Sequence, residues 1–139
     1  MGTRIAIRTL CAAAVLPCAF AAAGCGTSGD RDKARAAAER LYAAVDADDG
    51  AAACRELSAQ AAEALTSQEQ SPCEEAILGL DLQTPASADS VEVYITSAAV
   101  HLSGGDTVFL DETKQGWRVS ALGCREQAPD APAQCEVQA

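Results

Sequence analysis

The apolar residues of this chain change their spacing once, and that change limits the fold more than any other feature. Before the stretch QTPASAD (83–89) they recur every three to four residues, and after it every second one, so helices come first and strands follow. From Asp30 to Val45 the positions Ala34, Ala37, Ala38, Leu41 and Val45 share one side of a helix, with Arg31, Lys33, Arg35, Glu39 and Arg40 opposite. DADDG (46–50) ends it, and Asp49 or Gly50 is placed to cap a second helix that carries Cys54, Leu57, Ala61 and Leu65 on one face. SPCEE (71–75) predicts a third, short helix to about Leu80, with Ser71 as cap, Pro72 at the first helical position and Glu74 completing a capping box.

Beyond residue 89 the alternation is that of strands. Val91, Val93 and Ile95 interleave with Glu92 and Tyr94; Val100–Leu102, Thr107–Asp111 and Trp117–Leu122 follow, with turns signalled by SGGD (103–106) and TKQG (113–116). Helices followed by a meander predict an α+β class, N-terminal helices packed on one face of a curved antiparallel sheet. Trp117 falls on the buried face and, among only five aromatic residues, carries a sizeable share of the core.

The first 24 residues read as an export signal: Arg4 and Arg8, then an apolar run from Thr9 to Ala23, too short to span a bilayer comfortably. Ala22-Ala23-Gly24-Cys25 resembles the lipobox of bacterial lipoproteins, which makes Cys25 the lipidated first residue of the mature chain. Gly24, Gly26 and Gly29 also fit a dinucleotide-binding G-x-G-x-x-G, but no strand precedes them, so that match is discounted. The expected organisation is a signal over 1–24, a lipidated Cys25 with a tether to residue 32, and one domain over 33–139. As a coil the tether reaches about 15 Å. The domain is thus expected close to the outer face of the cytoplasmic membrane, held there by its lipid.

Loss of Arg4 and Arg8 with the signal leaves 8 basic against 20 acidic residues, a net charge of −12. A surface this acidic repels phosphate backbones, which argues against nucleic acid as a partner. Past Cys25 four cysteines remain, Cys54, Cys73, Cys124 and Cys135, an even number that reads as two disulfides in an exported domain. Three pairings are possible; the local one, Cys54 with Cys73 and Cys124 with Cys135, is preferred. Zinc is disfavoured by the absence of close C-x-x-C pairs. Calcium is disfavoured because the acidic run 46–50 has Leu57 where a loop of that type needs its last glutamate. No metal or cofactor is expected.

LYAAVDADDGAAACRELS, SPCEEAI, GGDTVFLDETKQGWRVSALGC and the final cysteine resemble a family of small actinobacterial lipoproteins without assigned function. The resemblance implies a cystatin-like, nuclear-transport-factor-like cone. The chain departs from it at Ala133, where family members often carry an aromatic residue. Related cones host isomerases and dehydratases, so each ionisable side chain needs weighing. His101 lies opposite Val100 and Leu102 on its strand and reads as a surface histidine. Asp106 and Asp111 sit near turns and read as solvated charges; Tyr42 and Tyr94 could line a pocket, but a tyrosine on a helix is usually core with its hydroxyl at the rim.

Two functions stay open. The first is a non-catalytic, lipid-anchored domain that binds a small apolar ligand in a cavity lined by Leu41, Val45, Val93, Ile95, Val108, Leu110 and Trp117, or binds a neighbouring envelope protein. The alternative is a small lyase or isomerase of the ketosteroid-isomerase type that works in the same interior.

Overall fold

The computed structural model describes residues 27–128 and 131–139. The expected signal, Cys25 and Gly26 lie outside them. Four helices, α1 (Thr27–Asp46), α2 (Gly50–Glu56), α3 (Ala59–Glu69) and α4 (Cys73–Ala76, prolonged by a 3₁₀ turn over Ile77–Gly79), precede five strands. The strands are β1 (Ala88–Tyr94), β2 (Ser97–Leu102), β3 (Thr107–Thr113), β4 (Gly116–Cys124) and β5 (Val137–Gln138). They form one antiparallel sheet in the order β1-β2-β3-β4-β5. The class is α+β, as the change of period predicts.

α1 starts at Thr27, so the segment expected to be a coiled tether is helical over its last six residues. Asp30 in the first turn favours this start through the helix dipole and pairs with Lys33 at 3.2 Å. Ala34, Ala37 and Ala38 are buried with Leu41 and Tyr42, and their small side chains let the helix axis approach the sheet closely. The core continues through Leu65, Ile77, Val100, Val108, Leu110, Val119, Leu122 and Val137.

The expected second helix is divided in two. Asp49 caps α2 by accepting from the Ala52 N–H at 2.9 Å, as expected, but Leu57 turns to extended backbone and forms a parallel bridge with Val119. Ser58 then donates its N–H to the Val119 carbonyl at 2.8 Å, and its hydroxyl accepts from Ala61 N–H at 3.1 Å to start α3. A tertiary contact with β4 thus overrides helical periodicity. The capping box at 71–75 does not form, because Pro72 rather than Ser71 holds the cap position of α4 and no side chain caps it. Gly50 has a packing reason to lack a side chain, since a Cβ there would meet the Glu74 carbonyl oxygen at 2.0 Å. The Cys54–Cys73 disulfide joins the same two helices, and Cys124–Cys135 joins the end of β4 to the tail, the local pairing expected.

The sheet has two ends. At one lie the β1–β2 tip, Ile95–Thr96, and the β3–β4 turn, bridged by the Glu112 N–H donating to Thr96 O at 2.7 Å. At the other lie the β2–β3 turn and the end of β4. The N-terminal half of α1 lies against the first end; Tyr42 of the same helix reaches the second. Among the described residues no helix is long and apolar enough to cross a membrane.

Candidate functional site

Asp106 closes the turn SGGD, where Gly105 takes φ +92°, a backbone conformation that suits glycine. The turn sends the Asp106 carboxylate inward, and its side chain has no solvent exposure at all. Burial of a charge costs several kcal/mol unless partners surround it, and here three donors converge. Arg125 Nε donates to Oδ1 at 2.7 Å, while Tyr42 Oη at 3.0 Å and the Gln83 backbone N–H at 3.2 Å donate to Oδ2. Arg125 also contacts the Asp81 carboxylate at 3.4 Å and donates to the Asp81 carbonyl. Burial, followed by the Asp106 charge, pushes the Tyr42 phenol well above its ordinary range, so it stays a donor. The Asp106 hydrogen bond raises the Arg125 guanidinium further.

This junction ties α1, the 81–83 segment, the β2–β3 turn and the end of β4 together. The expectation of a solvated Asp106 is corrected: Arg125 and Tyr42, distant in sequence, convert a turn aspartate into a buried anchor. Its chemistry is that of a fixed anion. Arg125 holds one oxygen, two donors hold the other, and no oxygen faces solvent, so this carboxylate is committed to the junction. His101 is half-buried on the opposite side of its strand from Val100 and Leu102, as expected, with Nδ1 3.0 Å from the Thr107 hydroxyl. Asp111 is exposed and Tyr42 is a core residue, as expected, but the Tyr42 hydroxyl meets buried Asp106 and does not lie at a rim.

At the opposite end, a groove of about 380 Å³ runs between α1 and the β3–β4 turn. Asp32, Lys33, Ala36 and Arg40 form one wall, and Gln115, Gly116, Trp117 and Arg118 the other. Helical spacing puts residues 32, 33, 36 and 40 on one face, and the hairpin places 115–118 against it. Trp117 is only 3 % exposed, yet its indole N–H is buried without a hydrogen-bond partner among the described residues. Arg40 is held by a two-point contact with Glu56, both bonds 2.9 Å. Arg118 donates to the Trp117 carbonyl at 3.0 Å and forms no ion pair among the described residues. Gln115 and Arg118 also line a neighbouring groove of about 290 Å³ that contains Lys114 and Ser58. Four of the eight basic residues past position 24 therefore border this turn.

The residues expected to line an interior cavity are dispersed. Leu41, Val108, Leu110 and Trp117 are core side chains packed on one another, and Val45 and Val93 pack at the margin of that core. Ile95 is corrected outright: it is 95 % exposed at the β1–β2 tip, with φ +43°. The alternation through Val91 and Val93 stops one residue earlier because the chain reverses there. Only Trp117 of the seven lines one of the grooves described above. Among the described residues no group of three or more histidine, cysteine or acidic side chains is arranged to hold a metal ion. The grooves escape sequence reading because α1 and the hairpin lie some 80 residues apart. Comparisons of the chain with protein families, with curated proteins and with solved structures return no match.

Proposed function

We propose that this chain is an exported domain, anchored through a lipid on Cys25 to the outer face of the cytoplasmic membrane, that binds a small apolar ligand or a neighbouring envelope protein and does not catalyse. The observation that carries the reading is the pairing of all four domain cysteines in two disulfides, a state that belongs to oxidising compartments. The charged and apolar segments of residues 1–23 and the Ala-Ala-Gly-Cys sequence before the domain agree with it. So does the commitment of Asp106 to three donors, since a binding domain needs no free base. The cone-like curvature and kinship with small actinobacterial lipoproteins belong to the same reading and rest on the sequence resemblance. The packed interior moves the ligand site outward to a groove or to the sheet surface.

The test is metabolic labelling with radioactive palmitate, with the parent chain compared to Cys25→Ser. The parent should be labelled and membrane-bound, and the variant unlabelled and either released or left with its signal uncut. Equal labelling of both would overturn the anchor.

A further inference from the structure

The Trp117 groove joins three things that are rarely left together without use: a buried indole donor with no partner among the described residues, a guanidinium with no carboxylate partner among them, and the small apolar surface of Ala36 and Gly116. Buried polar groups nearly always have partners, so an orphaned donor on a residue that lines an open groove marks a place where packing is not optimised for cohesion alone. Lys33 sits across the groove from Arg118, paired with Asp30 by a single contact. Ala36 and Trp117 supply apolar floor. An oxyanion between Lys33 and Arg118 would be held by charge-assisted hydrogen bonds.

We propose that this groove binds an anionic amphiphile, a phosphate or carboxylate head on an apolar tail, with Arg118 and Lys33 on the head and Ala36 and Trp117 against the tail. This inference rests on the proposed binding role and names its site and ligand class. The groove lies beside the end of α1 nearest Cys25: Lys33 is six residues past Thr27, about 9 Å along the helix. Membrane lipid and dissolved amphiphile both present this chemistry at that position.

Trp117 is the chain's single tryptophan, so its emission reports on the groove directly. The full chain with Cys25→Ser, which has no acyl group of its own, is titrated with octyl phosphate below its micelle concentration, with octyl glucoside as the uncharged equivalent, and with inorganic phosphate. Octyl phosphate should give a saturable change about tenfold tighter than octyl glucoside, and Arg118→Gln should weaken it by about tenfold. Lys33→Gln serves as the second variant if Arg118→Gln melts early, and Arg55→Gln, on the exposed side of α2, should bind as the parent does. Phosphatidylglycerol vesicles that compete with octyl phosphate would identify membrane lipid as a source, and failure to compete would identify a dissolved amphiphile. No saturable change, equal response to both octyl compounds, or binding unaffected by both charge variants would overturn the proposal. Because the chain tested lacks the lipid, its failure would leave the palmitate result standing, and the reverse.

Discussion

The two ends of the sheet are built on opposite principles. At the Asp106 end a buried charge is met by three donors. At the other end the donor of Trp117 is buried without a partner among the described residues, and Ile95 stands exposed in a left-handed conformation that β-branched residues rarely adopt. The first end is arranged for cohesion. The second gives up stability, inside at the Trp117 donor and outside at Ile95, and departures of that kind cluster where proteins bind.

The contrast breaks most directly at Asp106. Asp106→Ala should lower unfolding free energy by about 3 kcal/mol, the scale for removal of one member of a buried ion pair, as read from the urea midpoint. It strands the Tyr42 hydroxyl and the Gln83 N–H together. A loss under about 1 kcal/mol would place this junction among ordinary surface pairs and erase the difference between the ends.

Tyr42→Phe removes one donor and should cost about 1 kcal/mol at neutral pH. It also carries a pH signature. The folded chain raises the Tyr42 pKa above its ordinary value of 10.0, so the native state favours the protonated phenol. The associated stability is fully present below pH 10 and is lost as pH rises beyond it, by at most about 1.4 kcal/mol per pH unit. Denaturant midpoints between pH 8 and 11.5 should fall more steeply for the parent than for Tyr42→Phe; parallel curves would show that the phenol is not held by burial and Asp106.

The smallest effect has the opposite sign. Ile95→Asn places at the β1–β2 tip a residue that tolerates the left-handed region, and it forfeits almost no buried area because Ile95 is 95 % exposed. It should stabilise by about 0.5 kcal/mol, with a correspondingly raised melting temperature. Destabilisation would mean that Ile95 packs on something and that the tip resembles the cohesive end after all.

What could be read from sequence follows from how local each cause is. The helix-to-strand order, the Asp49 cap, the turns at 103–106 and 113–116 and both disulfides depend on residues near one another, and they stand as expected. The division between α2 and α3 depends on Val119, more than fifty residues from Ser58, and no helical pattern announces it. Ile95 fails for a different reason: Tyr-Ile-Thr-Ser contains none of the glycine, asparagine or aspartate that marks a tight turn. Asp106 is announced as a turn residue and is one; its burial is decided by Tyr42 and Arg125, which arrive from the helical half and from the end of the last long strand. The candidate site was the least legible part, since every wall of the Trp117 groove is shared between α1 and a hairpin.

The early start of α1 changes the mechanics of the proposed anchor. Only Gly26 stands between Cys25 and Thr27, where the seven coiled residues 26–32 would have served as a leash. On that anchoring, twenty helical residues at about 1.5 Å each form a spar of about 30 Å, largely exposed over residues 28–33 and packed into the body from Ala34 onward. A leashed domain samples many orientations and meets partners from every side. A domain on a spar would sit at a height set by helix length instead of by the reach of a coil, so the lipid proposal carries a distance with it. Whatever such a domain met would meet it at that height.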